Sequence, residues 1–231
     1  MNVYSISDLH LSINSNKPMD IFGPVWENSF EKIVEDWNKK IKDDDVVLLC
    51  GDLSWAMRLE DAQEDIKLLD SLKGKKILLK GNHDFWWQSI TALRNILPKN
   101  FYAIQNDAVK IENFIFCGTR GWLMPEGKQN TEENKRIFHR EVERLKLSLN
   151  AMQNLRSEGD IVICLMHYPP FNVLEEDNEM TNLLEKFGVN CVAYGHLHGN
   201  RNGYKFKTTK KNIKYFLTSC DLVENSLIKI I

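Results

Sequence analysis

Five short apolar runs punctuate the chain, at residues 2–7 and 46–50 and at Lys75–Leu79, Ile161–Met166 and Cys191–Tyr194, each bounded by turn residues. Continuous apolar runs of this length are the mark of strands buried on both faces. Between them the period changes. Trp26, Phe30, Ile33, Val34, Trp37 and Ile41 follow the helical repeat and predict one buried helix face, and residues 59–72 and 86–97 read as two further crossover helices. Residues 101–105, 109–111 and 114–118 suggest a meander with Glu112-Asn113 as a tight turn. The charged stretch 131–156 predicts a helix covering one face, with Thr131 and Asn134 near its start and Gly159 beyond its end. Strand character returns over 204–208, 215–218 and 226–231, with Lys210-Lys211-Asn212 at a turn.

Strands alternating with helices early and meandering strands later predict two mixed β-sheets packed face to face with helices outside, a four-layer α/β/β/α sandwich. A chain of 231 residues fits this as a single domain, 1–231. At 43% hydrophobic and 27% charged the composition is that of an ordinary globular protein. The formal charge of −2 gives no overall basic field for a nucleic-acid backbone. No stretch of about 20 apolar residues predicts a membrane span, and the start of the chain has no signal-like segment, so a cytoplasmic address is expected. The cysteines Cys50, Cys117, Cys164, Cys191 and Cys220 have no paired spacing and read as reduced core thiols.

The chemistry lies where the strands end. The five runs lead directly into Asp8-Leu9-His10, Gly51-Asp52, Gly81-Asn82-His83-Asp84, His167, and Gly195-His196-Leu197-His198. Sites of open α/β sheets form just beyond the carboxyl ends of strands, so these clusters predict one shared site. Of the six histidines five fall in the clusters, leaving His139 on the predicted helix 131–156. Imidazole and carboxylate donors without thiolates suit Mn, Fe, Zn or Ni in a catalytic site. Two divalent ions would bring four positive charges against two negative ones from Asp8 and Asp52, an excess that suits an anionic phosphate. The glycines before three of the clusters allow sharp turns or close backbone approach.

This ordered set, Asp8-x-His10, Gly51-Asp52, Gly81-Asn82-His83-Asp84, His167 and Gly195-His196-x-His198, resembles that of the calcineurin-like metallophosphoesterases. The resemblance implies that Asp8, His10 and His198 bind one metal, that Asn82, His167 and His196 bind a second, and that Asp52 bridges them. Ions so bridged would sit about 3.5–4 Å apart and turn a bridging water into the nucleophile that attacks a phosphodiester or phosphomonoester. His83 would stabilise the transition state or protonate the leaving oxygen. Asp84 has two readings, orienting His83 or a ligand, or capping the helix after it. At Gly51-Asp52-Leu53-Ser54-Trp55-Ala56 the sequence departs from relatives that carry a second Asp followed by Arg, which argues against protein phosphatase activity.

Trp55, Trp86, Trp87, Trp122, Tyr168 and Phe171 lie near the strand ends; core packing is expected for most, with Trp55 and Tyr168 as rim residues. Arg58, Arg120 and Arg201 lie near enough to motifs to reach a phosphate. The lysines from Lys205 to Lys214 read as solubilising a sheet edge. A small-molecule phosphate ester is the expected substrate. A nuclease, or less readily a catalytically inactive metal-binding scaffold, is the alternative; substrate identity would depend on the segments 12–23 and 119–130.

Overall fold

The computed structural model of the protein describes residues 1–13, 17–199 and 204–231. Along the chain run β1 (Val3–Ile6), α1 (Ser29–Lys40), β2 (Val46–Leu49), α2 (Leu59–Asp70), β3 (Lys75–Leu79), α3 (Ile90–Ile96), β4 (Phe101–Ile104), β5 (Ala108–Ile111), β6 (Phe114–Thr119), α4 (Glu132–Leu155), β7 (Ile161–Met166), α5 (Glu179–Lys186), β8 (Cys191–Tyr194), β9 (Lys207–Lys210), β10 (Ile213–Leu217) and β11 (Ile228–Lys229). They build a five-stranded sheet of order β11-β1-β2-β3-β4 and a six-stranded sheet of order β5-β6-β7-β8-β10-β9. Both are mixed: β1 to β4 are parallel with β11 antiparallel at one edge, and β6, β7, β8 and β10 are parallel with β5 and β9 antiparallel at the edges.

Three apolar clusters separate four layers. Val46, Leu48, Ile77, Phe116, Ile163 and Leu165 belong to the core between the sheets. Ile33 and Trp37 of α1 and Ile66 and Leu69 of α2 pack on the outer face of the first sheet. Phe138, Leu145 and Leu149 of α4 and Leu184 of α5 cover the second. Strands β1, β2, β3, β7 and β8 are buried on both faces, which is why they read as continuous apolar runs instead of alternating ones. One charged side chain is buried among them: Lys76 of β3 lies over the Trp37 and Phe101 rings at 5.9 and 5.3 Å and donates to the Leu72 carbonyl.

Several predicted elements are redrawn. The stretch 101–118 is no meander: β4 pairs in parallel with β3 in the first sheet, and only β5 and β6 form a hairpin, in the second. The helix predicted over 86–97 begins at Ile90, capped by Ser89, whose hydroxyl accepts from the Ala92 N–H. Asp84 pulls the preceding segment into a turn instead, and Trp86 and Trp87 are buried there. The helix over 26–41 starts at Ser29, because Asn28 is left-handed at φ 50°. The strand expected at 204–208 lies at Lys207–Lys210, joined to β10 by left-handed Lys211 and Asn212. The five cysteines are free and buried, and among the described residues no helix is long and apolar enough to cross a membrane.

Candidate metal centre

Five parallel strands, β1, β2, β3, β7 and β8, point their carboxyl ends at one place, and polar residues follow each. Asp8, His10, Asp52 and His196 are all left-handed there, with φ of 60, 49, 52 and 69°, a conformation uncommon for residues other than glycine and concentrated at functional sites. It persists because the loops are zipped together: Asp8 N donates to the Gly51 carbonyl at 3.0 Å, His10 N to that of Asp52 at 3.0 Å and Leu11 N to that of Leu53 at 2.9 Å. Two glycines make the close approach possible. A Cβ on Gly81 would lie 2.1 Å from Asp52 Oδ1, and one on Gly195 would lie 2.2 Å from Ser7 Oγ and 2.3 Å from Asp8 Oδ2.

The predicted donors come together. One ligand atom each from Asp8, His10 and His198 lie within 4.8 Å of one another, and so do atoms of Asp8, Asp52 and His167. His167 Nε2 stands 3.4 Å from Asp52 Oδ2 and 2.7 Å from Asn82 Oδ1, and its Nδ1 faces the Cys50 carbonyl at 3.0 Å. The His196 ring lies 5.0 Å from that of His167. Asp8 and Asp52 are almost fully buried, and burial opposes their charge; the histidines around them outweigh it and hold both below the usual carboxylate range. The imidazoles divide. Burial pushes His10 and His196 down to about 4, whereas His198 rises to about 10 against burial, through Asp221 and Asp8, and His167 rises against burial through Asp52.

These residues fit a divalent ion. His10 Nδ1 is buried with no hydrogen-bond partner, and its Nε2 is 3.9 Å from Asp52, too far for a bond. Two carboxylates buried beside four imidazoles, all nitrogen and oxygen donors, form the donor set of a borderline transition metal.

The supporting partners went largely unpredicted. Asp221 accepts at 2.9 Å from His198 Nδ1 and at 3.0 Å from Gly199 N. Ser7 Oγ donates to Asp8 at 2.6 Å, as does His196 N at 3.0 Å, and His83 N donates to Asp52 Oδ1 at 2.7 Å. Asp221 follows β10 much as the recognised clusters follow their strands, so the same rule would have found it. Asp84 caps no helix: its buried carboxylate accepts from the N–H groups of Gly81, Asp52, Leu53 and Ser54 and from the Trp86 indole, tying the β2 and β3 loops together.

His83 is half-exposed, its ring 4.7 Å from that of Trp55 and 5.8 Å from that of His10. Trp55 stacks on His10 at 4.7 Å. Tyr168 is buried, not on the rim, with its ring 3.9 Å from that of His196. Trp86, Trp87 and Phe171 are core. Arg58 pairs with Glu60 on the surface, and Arg201 lies outside the described residues. His139 is exposed, 3.4 Å from Glu179.

Two facing mixed sheets with Asp, Asn and His donors at their carboxyl ends define the metallophosphoesterase class. The chain belongs to the calcineurin-like phosphoesterase family, which it matches over residues 1–200. An uncharacterised protein of Methanocaldococcus jannaschii is 31% identical over 87 residues, 36% of this chain and 46% of that relative, so the match spans about half the relative's length. Among solved structures, a Thermus thermophilus protein superposes with a TM-score of 0.60 at 14% identity, covering 98% of this chain and 96% of that one. A phosphopantetheinyl hydrolase from Mycobacterium tuberculosis gives 0.58 at 14% identity, covering 100% and 95%. At these identities the likeness shows the fold.

Proposed function

We propose that this protein is a phosphoester hydrolase working with two divalent ions, one held by Asp8, His10 and His198, the other by Asn82, His167 and His196, with Asp52 shared between them. The observation that carries the reading is the convergence of these seven donors from five strand ends, with Asp8 and Asp52 lying 3.9 and 3.4 Å from His167. Divalent metal at such a site supplies Lewis-acid charge for phosphoryl oxygens and acidifies water. The chain's own part is preorganisation: Ser7 and the His196 amide fix Asp8, the His83 amide fixes Asp52, and Asp221 fixes His198, so no ligand has to search for its geometry. His83 then hands a proton to the leaving oxygen, or donates to the phosphoryl oxygens, from a ring braced by Trp55. A small phosphate ester suits a chain of charge −2 better than a polyanionic strand.

The test is hydrolysis of a chromogenic phosphodiester and its monoester by metal-stripped protein reloaded with Mn. The diester is expected to be cleaved only with metal, and His83→Ala to lower kcat by about 100-fold or more. Metal-independent cleavage, or an undiminished variant, would overturn these roles.

A further inference from the structure

A second polar cavity sits on the same strand-end rim as the metal centre. It encloses about 140 Å³ between the ends of β3, β4 and β6 and the flank of α4. Three cations line it, Lys80, Arg120 and Arg144, against one lining carboxylate, Glu141, which is fully buried. Gln88, Gln105 and Asn106 add neutral polar groups at the mouth.

The local balance is short of negative charge. Glu141 accepts from Thr119 Oγ1 at 2.7 Å, Arg120 at 3.2 Å and Arg144 at 2.7 Å, so one carboxylate serves two guanidinium groups. Arg120 Nε is buried with no partner, which costs free energy unless an acceptor comes to it. Lys80 Nζ donates to the Trp87 carbonyl at 2.9 Å, which leaves its ammonium without a carboxylate in hydrogen-bond contact among the described residues.

The cavity is also tied to the metal centre. The Arg120 carbonyl accepts from His167 N at 3.1 Å and from Tyr168 N at 2.8 Å. The Arg120 guanidinium lies 5.1 Å from the Trp122 ring, which is 4.8 Å from Tyr168, whose own ring touches that of His196. Lys80 immediately precedes Gly81-Asn82-His83.

We propose that this cavity is an anion subsite that takes a second phosphate or carboxylate of the substrate, so that the preferred ester carries one anionic group at the metal centre and another between Lys80, Arg120 and Arg144. The inference rests on the phosphoester reading above and narrows it to bis-anionic esters. Arg120 supplies the unpartnered donor, and Arg144, on the exposed side of α4, supplies charge at the entrance.

The experiment compares Mn-loaded wild-type protein with Arg144→Gln, and with Gln88→Glu and Asn106→Asp, which put negative charge on exposed mouth residues without touching the core. Two substrates are used, an aryl phosphate and the same ester carrying a second phosphate on the aryl group, and inorganic phosphate binding to metal-free protein is followed by calorimetry. Wild type is expected to prefer the bis-phosphate, and each variant to cut the ratio of the two kcat/KM values by about tenfold, the size of one charge-assisted hydrogen bond. A ratio that stays within twofold in all three variants overturns the proposal while leaving the hydrolase reading standing. Phosphate binding weakened by the variants with an unmoved ratio overturns it too, since the cavity then holds a free anion. Absence of hydrolysis of both substrates by wild type strikes at the hydrolase reading, and unweakened phosphate binding in the variants would then reject the subsite independently.

Discussion

Removing the charge of Asp84 without changing its shape tests whether the two metal-ligand loops are held by one buried carboxylate. Its Oδ2 accepts from Gly81 N at 2.7 Å and Asp52 N at 2.9 Å, and its Oδ1 from Leu53 N at 2.9 Å, Ser54 N at 3.3 Å and Trp86 Nε1 at 2.9 Å. In Asp84→Asn an amide NH₂ must face one of these groups, and the cheaper orientation sets it against the two donors on Oδ2. Each buried donor left unpaired costs about 1–3 kcal/mol, so the loss is about 2–6 kcal/mol. Part is returned because burial and Asp52 disfavour the charge, raising Asp84 to about 6, and a smaller net loss of about 1–3 kcal/mol is expected. Urea unfolding of metal-free protein, followed by tryptophan fluorescence, reads it directly as a lower midpoint at unchanged slope. A variant within about 0.5 kcal/mol of wild type would refute the claim that this carboxylate holds the loops.

Asp221→Asn leaves His198 without its anionic partner and is expected to weaken metal binding by about 10- to 100-fold with the fold intact, measured by competition against a chromophoric chelator. Gly195→Ala places a methyl 2.3 Å from Asp8 Oδ2 and is expected to abolish binding at that carboxylate; retained affinity would show that the strand end gives way. His198, raised to about 10, holds a proton in the metal-free protein at neutral pH, whereas His10 and His196, near 4, do not. For His198 the folded pKa exceeds the unfolded one, so its contribution to metal-free stability is complete below pH 6.5 and fades as pH rises through about 10. Metal must displace that proton, so affinity is expected to rise with pH across the same interval, with proton release seen as buffer-dependent binding enthalpy.

The strand ends were legible because each buried parallel strand shows as an unbroken apolar run, and a polar residue at its carboxyl end has few structural reasons to be there. Asp8, His10, Asp52, Asn82, His167, His196 and His198 all carry that signal, and the structure gathers them. Asp221 escaped because its loop carries no histidine and no glycine-led cluster, although β10 runs into it in the same way. Glu141 was hidden in a helix whose charges read as solvated; only the tertiary approach of Thr119 and Arg120 makes it a buried acid. Helix α5 escaped too, although Asn178 and Thr181 form a capping box, a short-range signal present in the sequence. The false helix start at residue 86 has a different cause: Asp84 binds another loop, and tertiary hydrogen bonds override local periodicity. Partition of 101–118 between two sheets depends on β4 pairing with β3, a non-local choice that no turn residue announces.

The central claim, that these donors form a two-ion hydrolytic centre, is tested most directly by titrating Mn into metal-stripped protein while following hydrolysis of a chromogenic phosphodiester and bound metal together. Activity that is absent without metal and saturates at two ions per chain is the predicted result. Activity complete at one ion, or no hydrolysis of this phosphodiester, the aryl phosphate or the aryl bis-phosphate with both ions bound, would contradict the account.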